Sequence, residues 1–375
     1  MSPRVLHVAQ PTTGGVAHYV APLVADQVRR GWQTVVACPI DGSLGPDVRA
    51  SGAVHEPWSA RRSPGPSTAA EALALRRILR RHQPDVVHLH SSKAGLVGRL
   101  VLRGSRATVF QPHGWSWLAV SGATAAASLA WERHASRWCD RLLCVSAAER
   151  DVGRQAGVTA PWSVVHTGVD LRRFAPVSQA GRSAVRARLG RPDDEPLAVC
   201  VGRLSVAKGQ DALAAAWPRV RSRVAAATLA LVGDGELRPT VEAAAGEGVL
   251  LVGERSDVAD WYAAADVVVV PSRWDALSLS LLEAAASGCC IVATDAPGAR
   301  EVLGSGEGGN IVPLADDEAL AQAVADRLLR PDQAGAEGAA NRRRAEAQFD
   351  RGQAYDEMAA LVLEVVARRG PAAPG

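Results

Sequence analysis

Lysine is almost missing from this chain. Lys93 and Lys208 are the only two among 42 basic residues, the other 40 being arginine, so each is conspicuous against its background. The six cysteines form no C-x-x-C pair and no zinc-like doublet of doublets. Neither a disulfide framework nor a structural metal is therefore indicated, and the thiols are expected buried in a reducing compartment. No run approaches the roughly 18 apolar residues of a membrane-spanning helix, and the segment 1–11 is too short for a signal-peptide core. The expectation is a cytoplasmic protein, free to lie peripherally on the inner face of the membrane. A net charge of +3 with histidine neutral is too balanced for wholesale nucleic-acid binding. No G-x-G-x-x-G follows the first apolar run, which disfavours a nicotinamide dinucleotide, and no repeat recurs at solenoid spacing.

The sequence does hold 375 residues with 47% hydrophobic content, enough for two domains with full cores. Short Val/Leu/Ile-rich runs alternate with longer helical patterns, the signature of parallel sheets covered by helices. Strands are expected at 4–9, 34–38, 85–90, 108–111, 141–146 and 163–166, and again at 197–203, 228–232, 249–253, 266–271, 290–294 and 310–313. Each series suffices for one doubly wound domain. Residues 1–175 form the first and 190–354 the second, joined by a Pro- and charge-rich stretch, 170–196, that reads as a linker with one short helix at 182–189. A terminal helix at about 355–375 could pack back on the first domain, its last residues 371–375 frayed. Turn-forming loops are expected at 64–66 and 304–309, and a helix at 123–141.

The overall charge conceals an asymmetry. Residues 1–175 hold 21 basic and 11 acidic residues, while 176–375 hold 21 and 28. The basic excess of the first half suits an anionic acceptor or an anionic membrane surface, although ordinary solvation of one face gives the same count.

Four segments could carry chemistry. After the first strand, Pro11 to His18 contains Gly14 and Gly15 at a strand-to-helix turn, where bare N–H groups favour an anion. The second domain opens with Val201-Gly-Arg203-Leu-Ser-Val-Ala-Lys208-Gly209. A planar guanidinium and an ammonium five residues apart can together hold both phosphates of a diphosphate. Gly235 follows the next strand in a turn that exposes backbone. Finally, Pro271 to Gly288 places Asp275 before a helix starting near Ser278 and Glu283 on its first turns, so that two carboxylates line one pocket. In the first half, His88, His90, Ser91 and Lys93 end a strand where open sheets bind ligands, and His113 ends the next. His18, His90 and Lys93 are the candidate acceptor contacts. Trp115, Trp117 and Trp131 are either core or a sugar- or lipid-facing patch.

These segments, with HLHSSKAG, FQPHGWSW, CVSAAER, VVHTGVDLRRF, LVGDGELR and IVATDAPGARE, resemble the retaining, EX7E-bearing glycosyltransferases of family 4 over nearly the whole length. The resemblance implies an α/β GT-B fold in which two Rossmann-like domains face each other across a cleft, the second binding a nucleoside-diphosphate sugar and the first the acceptor. It implies that Arg203 and Lys208 bind the donor diphosphate, that Glu283 accepts from the ribose hydroxyls, and that the backbone of Ala276, Leu277, Ser278 and Leu279 holds sugar and phosphates. Gly14 and Gly15 would cover the diphosphate, and His113 would approach the transferred sugar near its anomeric carbon.

Two departures stand out. Asp275 replaces the usual first glutamate, followed by Ala276-Leu277-Ser278 in place of Gly-Phe-Gly, and Thr167 precedes Gly168 where asparagine is usual.

The implied reaction is sugar transfer with retention, from a UDP-sugar first and GDP-mannose second, to a glycan, lipid-linked or small-molecule acceptor in glycoconjugate or exopolysaccharide assembly. The departing diphosphate gains charge, and Arg203 and Lys208 stabilise it more in the transition state than before. No Asp-x-Asp motif is present, so no metal or other cofactor is expected. A nucleotide-sugar epimerase of the same fold, or a silent nucleotide-sugar sensor, remain the alternatives.

Overall fold

The computed structural model describes residues 2–304 and 309–369. The interior of the turn expected at 304–309 and the end expected to fray at 371–375 lie outside these residues. Two compact units divide the chain: one runs through His166 and resumes from Gly352, and the other spans Thr167–Arg351.

The first unit holds seven strands: β1 Arg4–Ala9, β2 Gln33–Cys38, β3 Val54–Pro57, β4 Val86–His90, β5 Ala107–Gln111, β6 Arg141–Cys144 and β7 Trp162–Val164. They form one sheet in the order β3-β2-β1-β4-β5-β6-β7, and every adjacent pair is parallel. The second unit holds β8 Leu197–Val201, β9 Thr228–Val232, β10 Val249–Gly253, β11 Val267–Val270, β12 Ile291–Thr294 and β13 Gly309–Val312, in the order β10-β9-β8-β11-β12-β13, again all parallel. The unbroken apolar runs have a simple cause. Helices cover both faces, so β4 and β11 are buried at every residue and no polar alternation is required. Both units are Rossmann-like.

Three details differ from expectation. Strand β3 was not foreseen; it is a four-residue edge strand with no fully buried residue, so it lacks the apolar run that marks the others. The helix expected at 123–141 ends at Ala135, followed by a 3-10 turn at Ser136–Trp138. The supposed linker is packed: helix Gln179–Arg188 buries Arg186, whose guanidinium donates to the carbonyls of Pro192, Asp193 and Glu195 and to Asp266 Oδ2. One fully buried arginine thus satisfies the carbonyls of a turn that would otherwise need water.

The helix Arg351–Arg369 belongs to the first unit. Its Met358, Val362 and Val365 are buried with Val5, Val20, Leu23 and Val86 in one core, each such side chain contributing about 1.5–3 kcal/mol relative to exposure. At its rim Asp356 accepts from Arg30 at 2.6 Å, Glu364 from Arg141 at 2.6 Å, and Arg369 donates to Asp140 at 2.7 Å.

Candidate functional site

In each sheet the strand order reverses beside the strand that starts it, at β1/β4 and at β8/β11. Loops leaving the carboxyl ends of strands at such a point diverge and leave a crevice for a ligand. Lys208, Asp275 and Ser278 meet at the second of these points, and His90 and His113 lie at the first.

In the second unit the loop after β8 carries Arg203 and Lys208, and the loop after β11 carries Asp275 to Ser278. Lys208 Nζ donates to Asp275 Oδ2 at 2.5 Å and to Ser278 Oγ at 3.3 Å. Ser278 is the N-cap of helix Leu279–Ala286, and its hydroxyl makes no cap bond; it contacts Ser280 Oγ at 3.0 Å instead. The first amides of that helix therefore keep their donors available to an anion. Ala276 is half-buried, Leu277 buried, and Leu279 half-buried on the first helical turn. Arg203 is half exposed, with Glu236 at 3.7 Å as a loose ion partner, so its guanidinium can turn to a ligand at little cost.

Glu283 lies on the second turn of the same helix. Its Oε2 accepts from the Tyr262 hydroxyl at 3.0 Å. Burial pushes its carboxyl up to about 7, opposed by the Tyr262 hydrogen bond and by the charges of Arg173 and Lys208. A carboxylate so poised gains most when a ligand brings further hydroxyl donors.

Close backbone approach explains two of the glycines. Gly209 has φ +71, and a Cβ there would stand 2.1 Å from the Pro271 carbonyl oxygen. At Gly235 a Cβ would stand 2.4 Å from the Leu204 carbonyl. The loops after β8, β9 and β11 thus touch through bare backbone, and Gly235 acts in their packing.

A residue that the sequence reading passed over ties the same loops together. Arg273 donates to both carboxylate oxygens of Asp211 at 2.8 Å each and to the Val206 carbonyl at 2.9 Å, and its own amide donates to Ala207 O at 2.8 Å. An arginine three residues past the end of β11 and an aspartate opening the helix after β8 were the available signal.

In the first unit Gly14 and Gly15 open helix Gly14–Arg29, both exposed, and His18 is exposed one turn later. His90 is fully buried, and His113 is half-buried with φ +54, an uncommon backbone region for a residue with a Cβ. The carboxylate of Glu149 fixes that turn, accepting from Gly114 N at 2.6 Å and Val145 N at 2.9 Å. Ser146 caps helix Ala147–Gln155 and accepts from Glu149 N. The Ser-x-x-Glu spacing of a capping box was the signal for Glu149.

His90 Nδ1 lies 3.1 Å from His113 Nε2, and His90 Nε2 lies 2.9 Å from His7 Nδ1. Burial lowers His7 to about 4 and His113 to about 3, and holds His88 and His90 well below their ordinary value. All four rings are neutral at physiological pH. His7, His88 and His90 bring ring nitrogens within 4.8 Å of one another. At 2.9 Å, however, the His7–His90 pair is at hydrogen-bond distance, closer than the roughly 3.4 Å between two ligands with metal–nitrogen bonds of about 2.1 Å.

One expectation is corrected. Lys93 is not presented to an acceptor: its ammonium lies 2.6 Å from Glu71 Oε2 with side chains 1% and 2% exposed, and it donates to Ser63 O and Thr68 Oγ1. An ammonium in the core requires a carboxylate partner, and this pair is structural. Of the two readings left open for the tryptophans, core packing holds for Trp115. Trp115 is 4% exposed, donates to Glu149 O and stacks on Trp117 at 4.5 Å.

Comparison with known proteins supplies the family. Residues 13–173 match the model described as Glycosyltransferase Family 4 and residues 195–330 the one described as Glycosyl transferases group 1. Over 357 residues the chain is 32% identical to a GDP-mannose-dependent alpha-(1-6)-phosphatidylinositol monomannoside mannosyltransferase of Mycolicibacterium smegmatis, covering 88% of this chain and 90% of that protein. Two solved structures share the fold. Sucrose-phosphate synthase from Thermosynechococcus elongatus has a TM-score of 0.84 at 22% identity, over 98% of this chain and 100% of that one. Anabaena HepE, solved in complex with UDP-glucose, has a TM-score of 0.84 at 20% identity, over 96% and 100%. With two Rossmann-like units, both family models matched and a relative aligned along nearly its full length, the chain belongs to the family 4, group 1 glycosyltransferases of the GT-B fold.

Proposed function

We propose that the chain transfers a sugar from a nucleoside-diphosphate sugar to an acceptor hydroxyl with retention at the anomeric carbon, using the EX7E-type segment in which Asp275 and Glu283 stand as the two carboxylates. The observation that carries this reading is Lys208, held 2.5 Å from Asp275 and 3.3 Å from the Ser278 hydroxyl at the start of a helix whose N-cap side chain accepts from none of the helix's own amides. A cation and free amides gathered at one point stabilise the charge that develops on a departing diphosphate. Arg203 supplies a second donor to that diphosphate, and the Ala276–Leu279 backbone cradles the sugar and phosphates. Glu283 takes the ribose hydroxyls. No side chain serves as nucleophile, so the acceptor hydroxyl attacks from the face the diphosphate leaves and passes its proton to the departing phosphate.

The donor we propose is GDP-mannose, supported by the mannosyltransferase relative of M. smegmatis, ahead of the UDP-sugars put first by the resemblance. UDP-sugars are the second reading, supported by the UDP-glucose complex of Anabaena HepE. No metal or other cofactor enters the proposed step. A glycan or lipid-linked acceptor binds the first unit near His18, and His113 meets a sugar hydroxyl, with the chain on the cytoplasmic side, where the basic excess of 1–175 attracts anionic headgroups.

The test is a thermal-shift screen of nucleotide sugars followed by product analysis. A ligand that binds only the folded state raises the melting temperature. GDP-mannose should give the largest rise, and the product should keep the α configuration by proton NMR. A β product contradicts retention, and no shift with any nucleotide sugar contradicts the donor site.

A further inference from the structure

A chain of ring nitrogens runs from the His113 turn into the core of the first unit. Gln27 sits on helix Gly14–Arg29, His7 on β1, His90 at the end of β4 and His113 beyond the end of β5. Gln27, His7 and His90 are 1%, 0% and 0% exposed, so water reaches none of them. The links are Gln27 Oε1 to His7 Nε2 at 2.8 Å, His7 Nδ1 to His90 Nε2 at 2.9 Å and His90 Nδ1 to His113 Nε2 at 3.1 Å.

We propose that Gln27, His7 and His90 are positioning residues that fix the His113 ring with its proton on Nε2, leaving a bare Nδ1 lone pair to accept from a sugar hydroxyl. A neutral imidazole has one donor and one acceptor, so the first link determines all the others. The Gln27 carboxamide oxygen can only accept, which puts the His7 proton on Nε2. His7 Nδ1 must then accept, which puts the His90 proton on Nε2. His90 Nδ1 accepts in turn, and the His113 proton is on Nε2. The Tyr19 ring packs edge-on against His113 at 4.9 Å. The His88 ring lies 4.0 Å from His90, turned to Gln111 Oε1 at 3.0 Å and outside the chain.

The terminal residue defines what this chain can do. An amide takes up no proton, so Gln27 gives the imidazoles no counter-charge of the kind a buried carboxylate gives a catalytic histidine. The chain sets a tautomer and an orientation and carries no net proton, and His113 orients a hydroxyl as a neutral acceptor.

This inference rests on the functional reading in which His113 meets a sugar hydroxyl, and the experiment separates the two. Nitrogen-15 NMR of the full-length protein labelled at histidine reads each tautomer directly, without any variant having to fold. The wild-type spectrum at neutral pH should show His7, His90 and His113 all protonated on Nε2. Gln27→Met keeps the bulk and removes the acceptor. It should mix the tautomers and lower kcat about tenfold to a hundredfold, as loss of a group that orients a reacting ligand does, with the donor KM unchanged. His113 protonated on Nδ1 in the wild type overturns the proposal, as does a Gln27→Met variant with wild-type tautomers and kcat. The functional reading fails separately if wild-type protein with the predicted spectrum transfers no sugar from any nucleotide sugar, a result that also removes the positioning role.

Discussion

Two lysines that look alike in the sequence have opposite fates. Lys208 follows a strand end and meets Asp275 and Ser278 where a diphosphate can reach it, while Lys93 also follows a strand end yet is buried on Glu71. Rarity drew attention to both and could not separate them, because the partner of Lys93 lies 22 residues upstream and no local pattern announces it. The histidines show the same limit. His88, His90 and His113 were visible as strand-end residues, but the link through His7 to Gln27 depends on which side chains adjacent strands and the first helix bring together. Their burial has a consequence for stability. In the unfolded chain each imidazole takes a proton near pH 6.5, whereas His7 resists to about 4 and His113 to about 3, with His88 and His90 also held low. Between those values the unfolded state binds more protons, so stability is complete above about pH 6.5 and falls as the pH drops, by at most about 1.4 kcal/mol per pH unit for each group. Urea unfolding between about pH 6.5 and pH 5 should show this slope, reduced by one group's share in His88→Gln. Equal slopes in wild type and variant would contradict burial of His88 in its neutral form.

At the scale of elements the sequence was most legible where strands are buried on both faces, since an unbroken apolar run is itself the consequence of helices above and below. All twelve expected strands appear, each bound within two residues of its expected place. Edge strand β3 did not declare itself, and the linker was misjudged because a charged, proline-containing stretch reads as solvated unless the buried guanidinium of Arg186 is known to collect its carbonyls. The same lesson applies to the loops of the candidate site. Their residues were identifiable from spacing and family resemblance, but the clamp between them was not. Arg273 and Asp211 are 37% and 25% exposed, so their ion pair is worth at most about 1 kcal/mol of global stability. Its value lies in holding the loop after β11 against the loop after β8. Arg273→Ala should therefore weaken donor binding about tenfold or more, an effect of lost preorganisation, while the melting temperature changes little. Calorimetric titration with the donor alongside a thermal melt measures both, and unchanged donor affinity would contradict the clamp.

For the molecule as a whole, the two-unit organisation followed from counting strand series, and the terminal helix expected to pack back on the first domain does so as Arg351–Arg369, through its apolar face. The charge asymmetry between 1–175 and 176–375 remains an attribute of the whole chain, and among the described residues no helix is long and apolar enough to cross a membrane. The central claim concerns the second unit: the loops at its β8/β11 switch point hold a nucleoside diphosphate through Lys208 and Arg203. Calorimetric titration of GDP, with UDP in parallel, into wild-type protein and Lys208→Ala tests it most directly. A charge-assisted hydrogen bond to phosphate contributes about 1.5–3 kcal/mol, so the variant should bind the preferred diphosphate about tenfold to a hundredfold more weakly with its fold retained. Equal affinity in the two proteins, or no binding of either diphosphate to the wild type, would contradict the account.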